Sequence, residues 1–255
     1  MRREFRCINR FKYKLYVILC ILLLNSNVNP ILAQKKPYRL RWNLDVSLAS
    51  ASLATLGTSY FFQLQTAPLT TQQVQSLNPD NIPRFDRIAV HQYSTTARDL
   101  SNVLLYTAFA TRLGIFYANR ETRKDLIEIG VVGYQSLFMS QALANGLKLV
   151  KRNRPYVHNP AVPMSVKTER EARFSFFSAH TTTASTICFT TAFAYSAYFP
   201  ESKYNKLMWA SAITIPAVEG FLRVKAGKHY PSDVITGYLV GLGTSYLMHR
   251  LHRGK

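Results

Sequence analysis

The sequence predicts an all-α fold, a bundle of about six helices with a functional site at helix ends. Three observations carry this. Apolar segments of helical length recur from residue 45 to the C-terminus. No period-two alternation of useful length appears, so strands are not expected. No internal repeat divides the chain. At 255 residues, it has room for one sizeable domain or two small ones.

Residues 1–33 read as an export signal or an N-terminal anchor. Arg2, Arg3, Arg6, Arg10, Lys12 and Lys14 form a basic start, and "LYVILCILLL" (15–24) follows as the apolar core. "ILAQ" places Ile31 and Ala33 at the −3 and −1 positions of a cleavage site. Lipid attachment at Cys20 is disfavoured, because Leu19 is larger than the small residue that should precede it. The remainder is expected outside a bacterial cytoplasm, in the inner membrane or the periplasm.

Residues 34–96 read as an N-terminal helix and a polar loop. "DVSLASASLATLGTSYFF" (45–62) is helical but rich in Ser and Thr. Pro68, Pro79 and Pro83 with several Asn and Gln make 67–96 a loop, one that could cover the site. Residues 97–255 form the core, with helices at 98–118, 123–151, 178–198, 206–222 and 233–251. A membrane span needs about 20 mostly apolar residues. Arg112, Glu128 and Glu219 interrupt these helices, and "HTTTAST" makes another polar. The mean hydropathy of −0.06 is low for a polytopic membrane protein. Both a membrane bundle and a soluble one stay open.

Lys plus Arg number 32 against 13 Asp plus Glu, a net charge of +19. That excess calls for an anionic partner: nucleic acid, a membrane surface or a phosphate-bearing substrate. Nucleic acid is excluded as the reading, because the charge sits at the termini and in short loops, with no basic groove-reading helix. Cys7, Cys20 and Cys188 leave one cysteine if the N-terminal segment is removed, and Cys188 reads as a small core residue.

Three stretches carry chemistry. In "RVKAGKHYPSD" (223–233), His229 and Asp233 are four residues apart. A carboxylate so placed can accept the imidazole N–H and leave the other nitrogen free to attack. Arg223 can fork onto phosphate oxygens. In "FSFFSAHTTTAST", Ser178, Ala179 and His180 open an apolar helix, whose first N–H groups suit an anion. In "KLVKRNRP" (148–155), Lys148, Lys151, Arg152 and Arg154 crowd a helix end stopped by Pro155. Each has a plainer structural explanation taken alone: a capped helix, a solvated basic end, a His–Asp contact.

Together, over roughly residues 97–251, these stretches resemble the type 2 phosphatidic acid phosphatase superfamily, which includes bacterial acid phosphatases and vanadium haloperoxidases. That signature is Lys-x6-Arg-Pro, Pro-Ser-Gly-His and Ser-Arg-x5-His-x3-Asp. Arg154-Pro155, Ser178-x-His180 and Arg223-x5-His229-x3-Asp233 match in order and spacing. Four positions depart: Leu147 stands at the lysine position with Lys148 one residue later, Ala179 replaces glycine, Phe177 proline and Leu222 serine. One residue turns a helical side chain by about 100°.

The resemblance implies a phosphatase acting on lipid phosphates, with its site facing outward. His229 would attack phosphorus, Asp233 orient it, and His180 protonate the leaving oxygen and then activate water. Arg154, Arg223, Lys148, Ser178 and the Ala179 amide would hold the phosphoryl oxygens. No carboxylate cluster for Mg²⁺ and no Cys/His set for zinc is evident in the sequence, so no metal and no cofactor are expected. A soluble periplasmic phosphatase, a vanadate-dependent haloperoxidase and a catalytically weak phosphate- or lipid-binding homologue are the rival readings. Counting crossings from residue 34, taken as outside, predicts that the 45–62 helix does not span if the later helices do.

Overall fold

A computed structural model describes residues 36–254; the basic start, the apolar run and the cleavage-site reading lie outside them, as do Cys7 and Cys20. Among the described residues, six long helices make the fold: α1 (Trp42–Gln65), α2 (Thr95–Ala118), α3 (Leu126–Leu147), α4 (Ala179–Tyr198), α5 (Asn205–Lys225) and α6 (Pro231–His252). Short helical turns fill the connections. The pairing of Tyr38 with Arg253 is an isolated bridge.

Helix starts follow local chemistry. Ser94 accepts the Ala97 N–H at 3.1 Å to open α2, and Ser178 accepts the Thr181 N–H at 3.3 Å to open α4. Pro231 occupies the first position of α6, where its missing N–H costs nothing.

Helix α4 is the central element, packed against α2, α3, α5 and α6. It buries a run of hydroxyls, and they are satisfied within the helix. Thr182, Thr186 and Thr190 donate to the carbonyls of Ser178, Thr182 and Thr186 at 2.8, 2.8 and 2.6 Å. Each bond joins a side chain to the backbone one turn earlier, so the polar "HTTTAST" costs little to bury.

Helix α6 lies almost against α4. A Cβ at Gly237 would meet the Ser178 carbonyl oxygen at 2.7 Å, and one at Gly241 would meet the Thr182 carbonyl oxygen at 2.7 Å. The Gly-x3-Gly spacing puts both glycines on one face, where the backbones can approach.

Alongside an apolar core that includes Phe116, Ile129, Ile187, Phe189 and Met248, the bundle buries small polar residues and exposes large apolar ones. On α1, Asp45, Ser52 and Ser59 are buried, while Val46, Leu53 and Tyr60 are 58%, 55% and 64% exposed. The residues recur every seven positions, so one face carries small polar groups inward and the other large apolar groups outward. Helices α2 and α3 repeat this, with Ser101, Ser136 and Ser140 inside and Tyr106, Leu113 and Ile127 outside. Among the described residues, α5 alone is long and apolar enough to cross a membrane by length and hydropathy.

Helix α1 is a full member of the bundle. It runs alongside α3, with Asp45 at Gln135 (3.0 Å) and Gln63 at Asn145 (3.3 Å). Its start meets the end of α6, where His252 Nε2 lies 2.6 Å from Asp45 Oδ1. Arg39 N donates to His252 O, and Gly254 N to Pro37 O. Residues 36–41 therefore sit with the C-terminus, at the end opposite the start of α6. Of the Ser and Thr residues in 45–62, Ser52 and Ser59 are buried against the bundle, whereas Ser47, Ser50, Thr55 and Thr58 are exposed.

Candidate active site

The site gathers where α3 ends, α4 begins, α5 ends and α6 begins. After Leu147 the chain tightens into a 3₁₀ turn, Lys148–Val150, and Lys151 follows with φ of 56°. The tighter winding changes which side chain turns inward. Leu147 is 44% exposed, whereas Lys148 is half-buried with Nζ 3.0 Å from Asn145 Oδ1. Lys148 is thus the inward lysine despite its offset of one position. Burial, and then the Arg154 charge, pushes its ammonium down to about 8.

The chain then runs without regular structure through residues 151–154 to the turn at Pro155. Arg154 is buried and donates to Glu171 twice, from Nε to the backbone oxygen at 2.9 Å and from Nη2 to Oε2 at 3.0 Å. Arg152 turns the other way. Its Nη1 reaches Asp233 Oδ1 at 2.5 Å and Ser232 Oγ at 2.8 Å, and its Nη2 reaches Asp86 Oδ2 at 2.6 Å. Its guanidinium also lies over the Tyr230 ring, 4.1 Å from the centroid.

Asp86 comes from the polar loop. It accepts the Ser232 N–H at 2.9 Å and the Ser232 hydroxyl at 2.6 Å, capping the start of α6. The same loop crosses Gly227, which has φ of +68° and would place a Cβ 2.2 Å from the Gln92 carbonyl oxygen. Only glycine fits there. The loop braces the site from behind.

His229 is buried. Its Nδ1 lies 2.8 Å from the Ser175 carbonyl oxygen. A carbonyl only accepts, so Nδ1 carries the proton and Nε2 presents a lone pair. Asp233 Oδ2 is 3.7 Å from Nδ1, too far for a hydrogen bond. Asp233 instead accepts the Ser175 hydroxyl at 2.5 Å and the Tyr230 N–H at 2.9 Å. The expected direct carboxylate–imidazole bond is replaced by one through Ser175. Burial pushes the His229 imidazole down to about 3, aided by Arg154 and Arg223 and opposed by Asp233, so it is neutral at physiological pH.

The remaining predicted residues converge here. His180, on the first turn of α4, lies within electrostatic reach of Arg223, His229, Arg154 and Lys148. Ser178 is buried, and its hydroxyl oxygen accepts from the N–H and, at 3.0 Å, the hydroxyl of Thr181. Ala179 supplies the first helical N–H. Arg223 is buried, with Nη1 on Ser101 Oγ at 3.1 Å, and its Nε has no protein partner among the described residues.

Sequence reasoning missed Ser175, Arg152, Asp86 and Lys228. Lys228 Nζ stands 4.8 Å over the Tyr156 ring. Burial, then Arg154 and Arg223, pushes it down to about 8. Ser175 had no signal, because its backbone oxygen makes the contact with His229. Arg152 stood in the basic stretch, and Asp86 in "FDR" had only its isolation in a polar loop.

Four cations and two histidines face one space, a constellation suited to a phosphoryl group. Residues 132–255 match the family model described as "PAP2 superfamily". Among solved structures, the chain is similar to the crystal structure of the first transmembrane PAP2 type phosphatidylglycerolphosphate phosphatase from Bacillus subtilis. The two share 16% identity over 94% of each chain, with a TM-score of 0.39. No curated protein matches.

Proposed function

We propose, from the match of residues 132–255 to the PAP2 superfamily model, that the chain is a phosphatase that hydrolyses lipid phosphates through a phosphohistidine. The observation carrying this is the 2.8 Å contact from His229 Nδ1 to the Ser175 carbonyl, which leaves Nε2 as the nucleophile inside a ring of cations. In this reading Nε2 attacks phosphorus and the P–O bond to the leaving group breaks. His180 gives that oxygen its proton, then takes one from the water that cleaves the phosphohistidine. Lys148, Arg154, Arg223 and Lys228, with the Ala179 N–H, hold the equatorial oxygens as their charge grows. Glu171, with its side chain 73% exposed, gives up Arg154 when phosphate enters.

The many large apolar side chains exposed on the helices, such as Tyr106, Leu113 and Ile127, support a membrane setting and with it a lipid substrate. The proposed setting is a bacterial envelope membrane with the site facing outward. The low mean hydropathy favours the soluble periplasmic alternative, and activity extracted without detergent would favour it too. The test is phosphate release from phosphatidic acid, phosphatidylglycerol phosphate, a polyprenyl pyrophosphate and p-nitrophenyl phosphate, each in EDTA. Release from at least one lipid, lost in His229→Ala, supports the reading. Full activity in His229→Ala overturns it.

A further inference from the structure

We propose that a cavity between α2, α4 and α5 holds an anionic phospholipid, one acyl chain inside it and the phosphodiester on Arg112. The cavity has a volume of about 300 Å³ and is walled by apolar side chains such as Ala108, Ile115, Ile187 and Met208, with Arg112 among them. That volume is at the lower end of the range of roughly 300–1,000 Å³ for ligand sites. It is separate from the phosphatase site, since Ile187 lies seven residues, about 10 Å, beyond His180 along α4.

Arg112 is the reason to expect an anion. Its Nη1 donates to Thr190 Oγ1 at 3.1 Å and Thr191 Oγ1 at 3.2 Å, and its Nη2 to the Ile129 carbonyl at 3.1 Å. The ring of Phe116 lies 5.2 Å away. Every one of these partners is neutral, and no carboxylate pairs with Arg112 among the described residues. A guanidinium has five N–H groups, so two donors remain beyond those three bonds. The neighbouring face of α3 leaves room for the guanidinium, for a Cβ at Gly133 would collide with Arg112 Nη2. An unpaired charge at this depth is costly unless an anion meets it. A phospholipid supplies the anion and the chain together. Asn119 and Tyr204 line the cavity toward the end of α2, beside Arg120 and Lys203, so the surrounding charge also favours an anionic headgroup.

Cys188 lines the cavity and reports its occupancy. With Cys7 and Cys20 changed to Ser in the full chain, N-ethylmaleimide labelling of Cys188 is followed in nanodiscs of dioleoylphosphatidylglycerol and of dioleoylphosphatidylcholine. Labelling is expected at least threefold slower in phosphatidylglycerol. Arg112→Gln should erase the headgroup difference and Arg112→Lys should keep it. Saturating vanadate should change nothing, because it fills the other site. Equal protection by the two lipids overturns the proposal, as does a preference that survives Arg112→Gln. If Arg112→Gln does not fold, native mass spectrometry of the wild-type chain decides, by whether phosphatidylglycerol is retained over phosphatidylcholine. Labelling needs no turnover, so a chain without phosphatase activity still answers.

Discussion

His229 donates its Nδ1 proton to the Ser175 carbonyl at 2.8 Å, and Asp233 acts on the imidazole through Ser175 rather than directly. The carboxylate is tied in turn to Arg152, and Arg152 to Asp86. His229, the proposed nucleophile, is therefore held by a relay that ends in the polar loop, and the relay should be visible in mutants.

Asp86→Asn and Arg152→Gln each weaken the relay without touching substrate. Removing one partner of a buried charge pair strands the other and costs about 3–5 kcal/mol. Arg152 is partly exposed, so the lower part of that range or less is expected. Thermal melts should show both variants destabilised. Their kcat should fall with KM little changed. An unchanged kcat in Arg152→Gln would detach the relay from the chemistry.

The lysine register gives a second prediction. Lys148→Ala should lower kcat/KM by about 10²–10³, the loss found when a transition-state donor is removed. Leu147→Ala, at an exposed position, should leave activity within a factor of about three, the effect of about 0.5 kcal/mol at ordinary surface sites. A large loss in Leu147→Ala with none in Lys148→Ala would reverse the assignment of the inward side chain.

The fold was largely legible in the sequence. Helix positions followed from apolar segments and from Ser and Pro at their starts, and the three motifs converge as their spacing implied. The rest was hidden for physical reasons. Ser175 contributes a backbone oxygen, which no side-chain pattern marks. Asp86 reaches Arg152 across 66 residues, from a loop without periodicity. The packing of helix α1 along α3 was not legible, because only Asp45, Ser52 and Ser59 of it are buried; its exposed hydroxyls Ser47 and Thr55 bond their own helix at 2.7 and 2.9 Å. Gly237 and Gly241 were readable as a close-contact pair but went unread.

Protonation sets the pH range. In the proposed mechanism His229 attacks as the neutral base, and burial holds it at about 3. Loss of kcat/KM from its protonation should therefore begin well below the ordinary histidine value of about 6.5. Stability follows the same sign. The unfolded chain binds this proton first as pH falls, so the contribution is whole above about 6.5 and is lost toward 3. Lys148 and Lys228 must be charged to hold phosphate, and each is lowered to about 8. The free enzyme should lose kcat/KM above about pH 8, and Lys148→Arg should move that limb upward. An alkaline limb unmoved by Lys148→Arg would assign it to another group.

The contact between α4 and α6 fixes His180 relative to His229. Gly237→Ala forces a methyl onto the Ser178 carbonyl, and overpacking of this kind costs about 1–3 kcal/mol. A lower melting temperature with reduced kcat is expected. Gly243→Ala, where nothing lies within 4 Å of the added carbon, is the control and should be neutral. Equal effects of the two substitutions would contradict the close approach.

Orientation can be read from labelling in whole cells. In a cysteine-free background, Ala161→Cys should react with an impermeant maleimide, whereas Arg120→Cys should not. Residue 120 lies at the end opposite the site, which an outward site places in the cytoplasm. The reverse pattern would contradict an outward site, and labelling at both would favour the soluble periplasmic alternative.

The most direct measurement is to trap the phosphorylated enzyme. The chain is mixed with ³²P-labelled phosphatidic acid, quenched in alkali within milliseconds, digested and sequenced. Label should appear on the peptide carrying His229, survive alkali and be released by acid, and should be absent from His229→Ala. Label on any other residue, or none in an active enzyme quenched during turnover, would contradict His229 as the nucleophile.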